Sequence, residues 1–147
     1  MPFPALVFVY GTLRDDTRIS AVVGAASAWR RIGQASIRGQ LYDVGPYPAL
    51  RPGRGASDRV RGVVLEFADG DAALPLLDGY EEAVAAQLYV RRRCRARLAN
   101  GRTVSAWVYV YNRSVRGLSR VVGGTWRKKS NVQSPRPALS GIEGSKV

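Results

Sequence analysis

"LVFVYGTLRDD", Leu6 to Asp16, is a hydrophobic run that breaks off at a glycine. Val7, Phe8 and Val9 are β-branched or aromatic, the residue types that fit a pleated surface, so the run reads as a buried strand ending at Tyr10. A glycine directly after a core strand serves either a turn that needs positive φ or a close approach of another group to the backbone. The remainder of the chain decides between these uses.

Working outward, "DDTRISAVVGAASAWRR" (15–31) offers Asp15 or Asp16 as an N-cap, followed by Ile19, Val22 and Val23 at helical spacing. This predicts a short helix. "ASIRGQLYDVGPYPALRPG" (35–53) alternates through Ile37, Gly39 and Leu41, then breaks up at Gly45, Pro46 and Pro48, the pattern of a strand running into an irregular loop. "DRVRGVVLEF" (58–67) reads as a further strand. "ADGDAALPLLDGY" (68–80) reads as a short helix capped by Asp71 and stopped at Gly79.

"YVRRRCRARL" (89–98) has the density of a nucleic-acid-binding run but the period of a strand. Val90, Arg92, Cys94, Ala96 and Leu98 share one face, and Tyr89, Arg91, Arg93, Arg95 and Arg97 the other. Cys94 then behaves as a buried hydrophobe rather than a reactive thiol. Asn100-Gly101 is a strong hairpin signal, and "TVSAWVYVYN" (103–112) is the returning antiparallel strand. Beyond Arg127 the composition turns to Ser, Pro, Gly and Lys with few large apolar residues, which predicts one folded domain over 1–127 and a disordered basic tail over 128–147.

The chemistry is bounded most sharply by what is missing. The chain has no histidine and one cysteine, so Ser-His-Asp and Cys-His nucleophiles, histidine or thiolate zinc sites and internal disulfides are all ruled out. Proton transfer near neutral pH then falls mainly to Asp, Glu, Tyr, Lys or Cys94, and the only glutamates are Glu66, Glu81, Glu82 and Glu143. The net charge of +12, with 20 of 23 basic residues arginine, attracts anions, either small acidic metabolites or nucleic acid. No apolar run reaches the length of a membrane span and no signal peptide is legible, so no membrane partner and a cytoplasmic location are expected.

In order, "VYGTLR" (9–14), "GQLYDVGPYPAL" (39–50), "LDGYEE" (77–82), "LYVRR" (88–92), "WVYVYN" (107–112) and "GGTWR" (123–127) resemble the γ-glutamylcyclotransferase-like family, of the γ-glutamylamine cyclotransferase type. The resemblance implies an α+β single domain around a small, strongly curved, mixed β-barrel-like sheet with a few short helices. It also implies an enzyme that converts a small-molecule γ-glutamyl-amine or related compound to 5-oxoproline plus a free amine. The substrate's own α-amine is the nucleophile in such a reaction, so neither a cofactor nor a metal is called for.

By matching position, Glu81 resembles the family's general acid/base, placed just after a helix end. The family usually has glycine next, where this chain has Glu82. Tyr10, Gly11, Thr12 and Leu13 resemble the substrate loop, whose backbone N–H groups hold the carboxylate or developing oxyanion. Tyr89 and Arg91 resemble residues that line the site or anchor the substrate carboxylate, with Tyr47 and Pro48 as a wall. The alternative is a non-catalytic anion- or nucleic-acid-binding module of the same fold.

Overall fold

Strand alternation divides the apolar residues of this chain into two cores. In the first strand, β1 (Ala5–Val9), Phe8 faces one way with Tyr10 just beyond it, while Val7 and Val9 face the other. Phe8 and Tyr10 join Ile37, Leu41, Leu50, Val60, Val64 and Val108 inside a barrel, and Trp126 closes over them from near the end of the described chain. Val7 and Val9 join Ile19, Val23, Leu65, Phe67, Ala73 and Leu77 in a second layer, between the sheet and two helices. The computed structural model describes residues 3–44, 48–53, 58–85, 89–121 and 123–126, with the side chains of Thr12 and 81–85 excluded.

The other elements are α1 (Asp16–Val23), β2 (Trp29–Asp43), β3 (Pro48–Pro52), β4 (Arg59–Phe67), α2 (Gly70–Ala85), β5 (Tyr89–Leu98), β6 (Thr103–Tyr111) and β7 (Ser119–Arg120). The sheet runs β3-β2-β4-β1-β6-β5, and β5 returns to pair with β2, so five strands close on themselves. Only the β1–β6 neighbours are parallel. Closure removes the exposed edges that a small open sheet must otherwise protect. At 15 residues β2 is long enough to serve the barrel with its first part and to carry β3 and β7 on its last. The expected strongly curved, mixed barrel is therefore present.

Four local expectations change. The segment from Pro48, read as irregular loop, forms β3, paired with β2 from Asp43↔Pro48 to Gly39↔Pro52. Trp29 to Arg31 begin β2 rather than extending the helical stretch, whose α-helix ends at Val23 and is followed by a short 3-10 turn over Gly24–Ala26. The second helix is capped by Asp69, not Asp71: Asp69 Oδ1 accepts the N–H of Ala72 at 3.1 Å, and Asp71 lies in the first turn, where its charge complements the helix dipole.

Nor does that helix stop at Gly79. It continues to Ala85, because Gly79 does not take the left-handed conformation that ends helices, while Leu77 is buried and Tyr80 packs on the second core. Tertiary packing outweighs the roughly 1 kcal/mol that a helical glycine costs. Asp15 caps α1 as expected, accepting from Thr17 N–H at 2.9 Å. The Asn100-Gly101 hairpin joins β5 to β6 as expected, with Gly101 at φ 91°. No helix among the described residues is long and apolar enough to cross a membrane. The expected disordered tail lies outside the described residues.

Candidate active site

Beyond β1 the chain turns through a short 3-10 segment, Thr12–Arg14, in which the Arg14 N–H reaches the Gly11 carbonyl at 3.1 Å. Tyr10 lies inside the barrel with its hydroxyl donating to the Tyr109 carbonyl at 2.5 Å, and Leu13 is buried in the second core. These two side chains anchor the turn and face away from a ligand on its outer side, which leaves the backbone as what Tyr10, Gly11 and Leu13 can offer. Arg14 braces it from outside: Nε donates to the Gly11 carbonyl at 3.1 Å and a terminal nitrogen donates to the Trp126 carbonyl at 2.5 Å. Burial lowers the pKa of this guanidinium. Sequence reading passed over Arg14, although it follows the turn directly.

Gly11 serves close approach. A Cβ built there would stand 3.2 Å from Pro48 Cγ, tighter than ordinary packing. Pro48 opens β3, and its carbonyl accepts the Tyr89 hydroxyl. Tyr89, at the start of β5, meets Tyr111 edge to face with ring centroids 5.8 Å apart. Two residues along the same strand face, Arg91 stacks 4.5 Å above the Trp107 ring. Its Nε and a terminal nitrogen donate to the two carboxylate oxygens of Asp78, at 2.8 and 3.2 Å. Tyr109 donates to the same carboxylate at 2.6 Å.

The turn, the proline wall, Tyr89, Arg91 and the second half of α2 are thus joined by successive contacts, although Gly11 and Asp78 are far apart in sequence. Arg91 is not simply one more solvated arginine, since a bidentate pair and an aromatic face hold it. Asp78, Tyr109 and Trp107 carry no role in the sequence reading. Asp78 stands inside the "LDGYEE" motif three residues before Glu81, and only the fold shows that it faces Arg91. Glu81 and Glu82 occupy the later turns of α2, not a loop after it. Their side chains, that of Thr12 and all of Tyr47 lie outside the described residues. Among the described residues no group of three Cys, Asp or Glu gathers to hold a metal ion.

By fold the chain is similar to a crystal structure of an AIG2-like protein from Mus musculus, with a TM-score of 0.70 and 21% identity over 91% of this chain and 97% of that one. It is also similar to a solved gamma-glutamyl cyclotransferase, with a TM-score of 0.59 and 17% identity over 80% of this chain and 69% of that one. The chain belongs to the gamma-glutamyl cyclotransferase, AIG2-like family, whose pattern matches residues 7–128. Among curated relatives it is 34% identical over 121 residues to the gamma-glutamylcyclotransferase family protein YtfP of Citrobacter rodentium, covering 82% of this chain and 93% of the relative. The YtfP protein of Escherichia coli K12 matches at the same identity, with 94% of its length covered.

Proposed function

We propose that the protein is a cofactor-independent cyclotransferase that converts a γ-glutamyl-amine or a related γ-glutamyl compound to 5-oxoproline and a free amine, with Glu81 as general acid/base. The observation that supports this most is the contact path from Gly11 through Pro48, Tyr89 and Arg91 to Asp78, which ends one helical turn before Glu81. The Glu81 carboxylate takes a proton from the substrate's α-ammonium, and the freed amine attacks the γ-carbonyl. The new C–N bond closes a five-membered lactam. The oxygen that becomes negative is held by N–H groups of the Tyr10–Leu13 turn, and when the γ-amide C–N bond breaks, Glu81 returns its proton to the departing amine. Because nucleophile and electrophile belong to one molecule, orientation supplies much of the acceleration.

The helix register favours Glu81 over Glu82. At about 100° per residue, position 81 comes one turn after Asp78 and Leu77, on the flank they define, whereas position 82 is rotated a further step from the buried line of Ala73, Leu77 and Tyr80. Arg91 keeps guanidinium donors beyond those given to Asp78, and the reading assigns them to the substrate's α-carboxylate. The direct test is incubation with a panel of γ-glutamyl-amines and γ-glutamyl dipeptides, following 5-oxoproline by mass spectrometry. The expected result is stoichiometric 5-oxoproline and amine from at least one member without added metal or cofactor. Release of free glutamate in its place would identify a hydrolase and overturn the reading.

A further inference from the structure

The arginines of β5 do more than alternate. Cys94, Ala96 and Leu98 turn into the barrel, so Arg93, Arg95 and Arg97 stand on its outside, roughly 7 Å apart along the strand. Closure of the barrel brings β2 and β4 alongside: Arg97 lies opposite Ser36, Ser36 opposite Arg61, and Arg38 opposite Arg59. Ile37 and Val60 point inward, which places Arg38, Arg59 and Arg61 on the same outer face. The ion pairs among the described residues are Arg30–Glu66, Arg31–Asp16, Arg91–Asp78 and Arg120–Asp58, and none includes any of these six.

Like charges directly opposite each other in a sheet are destabilising, and Arg38 faces Arg59 in this way. Partial burial, then the charges of Arg97 and Arg38, lower the Arg59 pKa, while Ser36 holds that guanidinium through its hydroxyl at 2.7 Å and its carbonyl at 3.0 Å. The fold thus fixes unneutralised cations in place against their mutual repulsion. Two clefts share Arg97. One of about 540 Å³ is lined by Arg38, Arg59, Arg93 and Arg95 with Thr103, and one of about 430 Å³ by Arg61 and Arg14 with Gln34, Ser36 and Thr125.

We propose that this outer face of β4, β2 and β5 binds the phosphodiester backbone of nucleic acid, beside the candidate cyclotransferase site, to which Arg14 and, through the Trp107 ring it shares with Arg91, Arg93 connect it. The strip is longer than a single small anion requires, its cations repeat along and across strands, and guanidinium forks suit phosphate oxygens. The hydroxyl and amide groups between them suit phosphate and sugar contacts, which position a strand without reading its sequence. A membrane surface fits less well. The large apolar side chains exposed among the described residues are Phe3 and Leu76, neither of which lines the two clefts, so the face lacks the apolar anchors that interfacial binding uses.

The test is fluorescence anisotropy of the full-length protein with labelled single-stranded and duplex oligonucleotides of about 15 nucleotides, titrated between about 50 and 200 mM salt. Binding is expected to be sequence-tolerant, with log K falling against log salt at a slope of about −2 to −4 for the single strand. Replacing Arg38, Arg95 and Arg97 together by Gln should flatten that slope by about 2 units and weaken binding more than roughly 10-fold at the low-salt end. The same triple variant should melt no lower than the parent, since repulsion is relieved. Two controls, Arg18, Arg113 and Arg116 to Gln, and Lys128 and Lys129 to Gln, should leave affinity within about 3-fold, because the proposal assigns the phosphate contacts to the strip. No binding at low salt, an equal loss in either control, or preference for phosphatidylserine vesicles over both oligonucleotides would each overturn the proposal.

Discussion

Asp78 shows how one carboxylate can organise several elements. It sits on α2, receives the fork of Arg91 from β5 and the hydroxyl of Tyr109 from β6, and through them ties the helix to the strands that carry the candidate site. The pair is partly exposed, so its worth is modest, but the geometry is bidentate and shared. In a double-mutant cycle, Asp78→Ala and Arg91→Ala are each expected to destabilise the fold by about 1–2 kcal/mol, with a coupling energy of about 1 kcal/mol. Additive losses with no coupling would mean that the pair forms without holding the helix. Cys94 is a second residue whose behaviour follows from its surroundings. Burial raises its thiol pKa from the ordinary 9.0 to about 11, against a smaller opposing pull from Arg93. The folded chain therefore keeps a proton that the unfolded chain loses, and this residue's contribution makes stability fall as pH rises from about 9 to 11. At pH 8 the native thiol should alkylate at least an order of magnitude more slowly than in denaturant, because only thiolate reacts; equal rates would contradict the burial.

At the scale of elements, two substitutions separate the forces that place them. Gly62 lies where β4 crosses the end of β1, and a Cβ there would stand 2.3 Å from the Val9 carbonyl and 2.8 Å from the Phe8 ring. Gly62→Ala is expected to cost about 2–3 kcal/mol, read as a fall in melting temperature of roughly 5–10 °C. Asp69→Ala should cost about 1 kcal/mol through loss of the α2 cap, and Asp71→Ala less, because Asp71 contributes only through the dipole. The reverse order would restore the cap to the residue that the sequence suggested. That error shows what was legible. Strands with a clear period, such as Tyr89–Leu98, and a turn with its own chemistry, Asn100-Gly101, are written in local sequence. The length of α2 is not, since Gly79 reads as a stop until Leu77 and Tyr80 are seen to pack across it. β3 was hidden for the same reason, because its prolines argue against a strand unless the edge of β2 is there to receive it.

For the whole molecule, barrel closure depends on β2 pairing with β5, a contact of high sequence separation that no local pattern specifies. The family motifs made the architecture legible, and they marked Gly11, Tyr89, Arg91 and Glu81 as points along the chain. They could not show that Arg91 meets Asp78, that Arg14 braces the turn, or that the β5 arginines gather with those of β2 and β4. The composition of residues 128–147 carries a further expectation: a chain ending at Arg127 should unfold in the same single cooperative transition as the full protein. A broadened or lost transition would show that the folded unit extends further.

The central claim concerns a proton carried by Glu81, and the measurement closest to it is the rate of 5-oxoproline formation by Glu81→Gln beside Glu82→Gln on the same substrate. Gln preserves shape and hydrogen bonding but cannot accept the proton of the α-ammonium. That role predicts a fall in kcat on the order of 10²–10⁴-fold for Glu81→Gln with substrate binding and melting temperature retained, and a change of no more than about 3-fold for Glu82→Gln. Near-normal turnover by Glu81→Gln, or loss of turnover confined to Glu82→Gln, would contradict it.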